Sequence, residues 1–304
     1  MAADAMDPRE RALTGINTQD ILAALGWQEI RFCRRWIELL FRYPARTFAR
    51  QVLRFDRRIS EAGIREAAGI ILGSFVENLS VSGAAGIPSS GPALILSNHP
   101  GMTDTVALFA AIPRPDLAIL AADRPFLRAL RAGSRSLIFI PEEPEKRAAA
   151  VRRAVDHLKG GGALLTFPAG EIEPDPAVLP GAEKALARWS GSTALFVRLV
   201  PGSAVVPVVV SGVLSRRAQR HPLTRLRRVR ADRERFGAML QIVARILFPR
   251  AWPVRVRVDV LDPFAPGELA ALRSARAVTA AVRERVARFL ACGPVRPARS
   301  RARA

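Results

Sequence analysis

Between Ala93 and Val213 short apolar runs alternate with stretches of helical periodicity, and this alternation most narrowly limits how the chain can fold. Ala93–Ser97 reads as a buried strand, Thr103–Ile112 as a helix and Leu117–Ala121 as a second strand. The series continues with a helix at Pro125–Arg131, a strand at Leu137–Ile140, a helix at Glu145–Lys159 and a strand at Ala163–Phe167. Strands joined by crossover helices pair in parallel. The expected fold is therefore α/β, a mainly parallel central sheet flanked by helices. Beyond it, Ala204–Val210 reads as a buried strand, Arg233–Phe248 as an amphipathic helix, and Val278–Leu290 as a closing helix. Val254–Val260 alternates with strict period two, so one exposed face is expected there.

Ahead of the alternating region, residues 20–59 mix Ile21, Leu22, Leu25, Trp36, Leu39 and Leu40 with several arginines. This pattern predicts an N-terminal helical hairpin, its first helix broken near Tyr43–Pro44 and its second running through Phe48, Val52 and Phe55. Apolar aromatics on one side and arginines on the other suit a helix lying in a membrane interface, and equally a hairpin packed on the main domain. The expected division is a helical segment over 1–60, an α/β domain over 61–292 and a basic disordered tail over 293–304.

Charge narrows the partners without selecting one. The formal net charge is +20, which favours polyanions: nucleic acid, an anionic bilayer, or an acidic carrier protein or substrate. Arg216, Arg217, Arg220, Arg225, Arg227, Arg228 and Arg230 crowd into one segment, while lysine stands only at positions 146, 159 and 184. The basic residues are spread over the whole chain, with no zinc-finger or basic-zipper spacing and a single tyrosine, so no specific nucleic acid is expected. Cys33 and Cys292 lie far apart and near no other metal ligand, which suggests neither a disulfide framework nor a metal site. The opening residues carry no secretory pattern. The most apolar stretch, Ala194–Leu214, is broken by Arg198, Pro201, Gly202 and Pro207, short of the ~20 apolar residues a spanning helix needs.

In parallel sheets, function gathers in the loops that leave the carboxyl ends of strands. Leu96-Ser97-Asn98-His99-Pro100-Gly101-Met102-Thr103-Asp104 is such a loop. A neutral imidazole accepts a proton from a hydroxyl, and a carboxylate on its other nitrogen fixes the tautomer and stabilises the imidazolium. Asp104 meets His99 if Pro100–Gly101 turns the chain; otherwise it is a helix N-terminal acid complementing the dipole. With no G-x-S-x-G elbow and no cysteine beside a histidine, His99 is expected to activate an external nucleophile. A second exit loop, Phe167-Pro168-Ala169-Gly170-Glu171, reads either as a source of backbone N–H groups for an oxyanion or as a plain turn. Gly160–Gly162 follows a helix and precedes a strand, the order of a C-cap rather than of a phosphate loop.

These loops resemble the glycerolipid acyltransferase superfamily, which includes glycerol-phosphate and lysophosphatidic acid acyltransferases. Asn98, His99 and Asp104 match its N-H-x4-D block, and Leu137-Ile138-Phe139-Ile140 is similar to its I-F-I block. Phe167-Pro168-Ala169-Gly170-Glu171-Ile172 is similar to F-P-E-G-T-R, and Val205-Val206-Pro207-Val208 to a fourth, apolar block. The resemblance implies that His99 is the general base and Asp104 its partner, with Asn98, Phe139, Phe167, Pro168, Gly170 and Glu171 around the substrate. It implies no metal or bound cofactor, an acyl-CoA or acyl carrier protein thioester as co-substrate, and a lipid acceptor. Together with the arginine-rich segment and the N-terminal helix, this reading leads to an expected peripheral attachment to an anionic membrane surface on the cytoplasmic side of the cell membrane. A catalytically inactive, basic lipid-binding relative is the alternative.

Two departures bear on the acceptor. Phosphate-acceptor members carry an arginine after the I-F-I strand and another in the third block, where this chain has Pro141 and Ile172. Arg124, Arg128 and Arg135 are nearby cations, and spacing does not select among them. The third block's glutamate is replaced by Ala169, with Glu171 two residues later.

Overall fold

The computed structural model describes residues 7–27 and 34–292; the expected basic tail at 293–304 lies outside them. The described chain opens with helices α1 (Pro8–Leu25), α2 (Arg34–Ala62) and α3 (Ile64–Phe75), ahead of strand β1 (Asn78–Ser82). The alternating region follows as β2 (Ala93–Ser97), α4 (Met102–Ala111), β3 (Leu117–Ala122), a short α5 (Pro125–Arg128), β4 (Leu137–Ile140), α6 (Pro144–Lys159) and β5 (Ala163–Thr166). The remaining elements are α7 (Ala182–Ala185), α8 (Ser192–Leu199), β6 (Ala204–Ser211), α9 (Arg216–Gln219), α10 (Arg230–Leu247), β7 (Arg255–Val260) and α11 (Ala275–Cys292).

The strands form one seven-stranded sheet in the order β1-β7-β6-β2-β5-β3-β4. Every pair is parallel except β6 with β7. β2 and β6 are buried along their whole length, as central strands covered on both faces must be. Successive β2 side chains serve opposite layers. Ala93 and Ile95 join a core with Leu108 of α4, Ile112 just after it and Leu72 of α3, while Leu94 and Leu96 join one with Leu158 of α6, Phe196 of α8 and Val282 of α11. The architecture is thus helix, sheet, helix, with the carboxyl ends of β2, β5, β3 and β4 side by side along one edge.

Two expectations need correction. Val254–Val260 does not present an exposed face throughout, because β7 lies between β1 and β6 and Asp259 is only 2% exposed. That carboxylate accepts from Arg257 Nε at 2.8 Å and Ser82 Oγ at 2.6 Å, which makes its burial tolerable. The helix expected to break at Pro44 instead runs unbroken from Arg34 to Ala62, past the expected domain boundary at residue 60. Proline inside a helix costs about 3 kcal/mol. Packing offsets it here, since Ala49 and Val52 bury against Leu13 of α1, and Asn17 Nδ2 donates to Ala45 O at 3.1 Å. The antiparallel partner of α2 is α1, which starts earlier than expected: Asp7 accepts from Arg9 N–H at 2.8 Å, Pro8 opens the helix, and Gly26 closes it at φ 67°.

Asp56 of α2 fastens this hairpin to the α/β domain. Its carboxylate accepts N–H groups of Arg131 at 3.0 Å, Ala132 at 2.8 Å and Gly133 at 3.0 Å, and pairs with Arg9 at 2.6 Å. Burial works to raise its pKa, but these four donors outweigh it and hold the carboxyl below its ordinary value. Asp56→Ala leaves three backbone donors without a partner and is expected to lower unfolding free energy by about 3 kcal/mol or more, read from urea denaturation. In the native protein the contribution of Asp56 is complete at neutral pH. It is expected to fade as pH falls below the ordinary carboxylate value of 3.8, and an acid titration of stability that shows no such loss in Asp56→Ala relative to wild type checks the assignment.

Candidate active site

His99 lies just past the carboxyl end of β2, and Gly101 turns the chain into α4. Asp104, in the first turn of that helix, is fully buried and places Oδ2 2.8 Å from His99 Nδ1. The same oxygen accepts the Gly101 N–H at 2.9 Å, and Oδ1 accepts the Thr105 hydroxyl at 3.1 Å. Asp104 therefore serves both roles that the sequence left open. It caps the start of α4 and binds the imidazole. With Nδ1 facing the carboxylate, Nε2 is the nitrogen presented to a reactant, on a side chain that is 27% exposed.

A second carboxylate holds the backbone of the same residue. Glu173 Oε2 accepts the His99 N–H at 3.0 Å, Glu173 N–H donates back to His99 O at 2.8 Å, and Glu173 Oε1 accepts Trp189 Nε1–H at 2.8 Å. Phe167, at the end of β5, stacks its ring on the imidazole with centroids 4.4 Å apart. Burial tends to lower the His99 pKa, yet the charge and hydrogen bond of Asp104 and the charge of Glu173 prevail, leaving it above 6.5. Glu173 itself is pushed up by burial, against the pull of its Trp189 and His99 N–H donors.

The other residues singled out from the sequence separate into frame and surface. Asn98 spends its amide on β6, donating to Val210 O at 2.9 Å and accepting Val210 N–H at 2.7 Å, so it fixes the loop and does not face a substrate. Phe139 sits on β4, an edge strand with β3 and β5 between it and β2, under the Arg128 guanidinium at 4.1 Å. It is part of the core and does not reach His99. Pro168 is buried and its carbonyl accepts from Ser190 N–H at 2.9 Å. Gly170, at φ 67°, spends its N–H on Phe167 O at 3.0 Å, which removes it as an oxyanion donor.

Glu171 is exposed and paired with Arg188 at 3.0 Å. The carboxylate beside His99 is instead Glu173, which the sequence reading missed. Glu171 follows the left-handed turn at Gly170 at the surface, whereas the chain then turns inward and buries Glu173 against the His99 backbone. Asp175, also buried, accepts N–H groups of Ala177, Gly212 and Leu214, each at 2.9 Å. It ties the loop after β5 to the loop after β6, whose Val213 and Leu214 side chains cover Gly101.

Beside the dyad opens an apolar groove of about 600 Å³ between α1, α2, α5 and α10, reaching the His99 loop at Met102. Ile16, Phe48, Phe126, Met239 and Ile246 line its body, and Asp20 and Arg124 add the charged groups. That volume falls within the roughly 300–1,000 Å³ of small-molecule sites.

Residues 78–211 match the family model described as Acyltransferase. No curated protein matches the chain. Among solved structures, the crystal structure of the 1-acyl-sn-glycerophosphate (LPA) acyltransferase PlsC from Thermotoga maritima is similar at a TM-score of 0.43 and 18% identity, over 95% of this chain and 97% of that one. Over residues 78–211, which carry His99, Asp104, Phe167 and Glu173, the chain is thus similar to the Acyltransferase family.

Proposed function

We propose that this protein is an O-acyltransferase that moves a fatty acyl group from a thioester, on coenzyme A or acyl carrier protein, to the hydroxyl of a lipid acceptor in phospholipid biosynthesis. The observation that carries this reading is the 2.8 Å His99–Asp104 pair standing beside a large apolar groove within an acyltransferase-family segment. His99 Nε2 removes the acceptor hydroxyl proton as the oxygen attacks the thioester carbonyl. The C–S bond then breaks, and the departing thiolate takes the proton back from the imidazolium. Asp104 holds the tautomer and offsets the transient charge; Glu173 and Phe167 hold the ring in place. The groove receives an acyl chain, and Met102, three residues past His99, is part of its lining.

Attachment to the cytoplasmic face of a membrane belongs to the same proposal. Trp36, Leu39, Leu40 and Tyr43 recur at helical spacing on one face of α2 and are 74%, 57%, 68% and 66% exposed. Leu226 and Val229 of the arginine-rich segment are exposed as well, and Arg227 brings that segment to the end of α1 through Leu25 O. Apolar side chains amid arginines suit an anionic bilayer. No helix among the described residues is long and apolar enough to cross a membrane.

Incubating the purified protein with labelled acyl thioester and a total lipid extract is expected to give a labelled lipid of higher mass. His99→Ala, with an unchanged circular dichroism spectrum, is expected to lose activity by a factor of about 10³ or more; a fully active variant would remove His99 from the mechanism, and an inactive lipid-binding protein would leave the thioester unconsumed. Because a base works only when neutral, kcat/KM is expected to rise with pH through a midpoint above 6.5. Asp104→Asn removes the main influence that raises that pKa, so the residual activity is expected to titrate at lower pH. For the membrane contact, replacing Trp36 and Leu40 by aspartate is expected to weaken partition onto phosphatidylglycerol vesicles by about tenfold or more at unchanged thermal midpoint, measured by cosedimentation.

A further inference from the structure

The groove beside His99 carries two charges that the mechanism does not use. Asp20, on α1, makes no hydrogen bond or ion pair among the described residues. Asp20 is solvent-exposed at the rim of the groove; such burial as it has raises its pKa, and the charge of Arg124 opposes this at a distance. Arg124, at the start of α5, has one partner, a 3.4 Å pair with Glu142 in which both side chains are largely exposed. Each charge is therefore poorly satisfied by the protein itself, although both line one groove.

The other nearby cations do not face the groove. Arg128 is held by both oxygens of Asp123 at 2.7 Å and lies over the Phe139 ring, and neither Arg128 nor Arg135 lines the groove. Position relative to the base is set by the sheet. His99 leaves β2 and Arg124 follows β3, with β5 between them, so at about 4.8 Å per strand the two loops lie roughly 10 Å apart. That is the reach of a small polar headgroup from a reacting hydroxyl.

We infer that Asp20 and Arg124 form the headgroup subsite for the acceptor, and that the acceptor is a zwitterionic monoacyl amphiphile. Its anionic group, a phosphate or a carboxylate, pairs with Arg124; its ammonium pairs with Asp20; its chain lies in the apolar groove. A headgroup with negative charge alone meets the Asp20 carboxylate at the same rim. An uncharged one leaves both protein charges without a partner after desolvating them. Only a headgroup of both signs satisfies the pair. This inference rests on the acyl-transfer reading above.

The test measures kcat/KM of the full-length protein with one acyl thioester and three monoacyl acceptors of equal chain length, bearing phosphoethanolamine, phosphate or no charge. The phosphoethanolamine acceptor is expected to be preferred by about tenfold or more over the others. Asp20→Asn is expected to shift that preference toward the phosphate acceptor by about tenfold. Arg124→Ala is expected to cost both charged acceptors relative to the uncharged one, and Arg124→Lys to restore part of the loss. A wild-type preference for the phosphate-only or uncharged acceptor overturns the inference while leaving acyl transfer intact, and so do variants that slow all three acceptors equally. Transfer to none of them, or to any lipid of a total extract, overturns the acyl-transfer reading and this inference together.

Discussion

The two-way hydrogen bonding between Glu173 and the backbone of His99 is the contact on which the site depends. One loop leaves β2 and the other leaves β5, and neither has a regular partner for its backbone once the sheet ends. Glu173 supplies one through its own N–H and carboxylate, and Trp189 takes up the remaining carboxylate oxygen. Because β2 and β5 are adjacent and in register, Leu96 opposite Thr166, this closure extends the ladder by side-chain means. It also sets the Phe167 ring on the imidazole.

The same device recurs wherever loops at this edge must be rigid. Asp56 gathers three N–H groups after α5, Asp175 gathers two just after β6 and one from its own loop, and Asp104 caps α4. Buried carboxylates are costly unless fully hydrogen-bonded, so each of these clamps admits few alternative loop conformations. A side effect is electrostatic. Asp104 and Glu173 place two negative charges around one half-buried imidazole, and their attraction for the protonated form overcomes the cost of its burial. The base is thereby stronger than a free histidine, at the expense of needing a higher pH to be neutral.

Much of this was legible in the sequence. The strands from Ala93 to Val210 and their helices were readable because central parallel strands are continuous apolar runs and the crossover helices are amphipathic. His99 and Asp104 were legible because five residues around a Pro-Gly turn leave few geometries, and the helix that follows brings the acid back. Pro44 was misread since local preference costs less than the packing of α2 on α1 restores. β1, Asn-Leu-Ser-Val-Ser, alternates over only five residues of which two are apolar, and α8 lies inside a long apolar run, so neither stood out in the sequence.

By itself the amino-acid order determined the class of fold, the place of the reactive loops at the strand ends, and the histidine–carboxylate pair, all of which follow from periodicity and short-range geometry. Only tertiary structure decided which glutamate faces His99, since Glu171 and Glu173 stand in one short loop and only the packing of that loop buries Glu173 against the His99 backbone. It also decided that the Asn98 amide and the Phe139 ring belong to the frame, and that Asp20 and Arg124, 104 positions apart, share one groove. Such assignments depend on which strands neighbour one another and how a hairpin packs across them, and those contacts join residues whose spacing along the chain carries no trace of their distance in space.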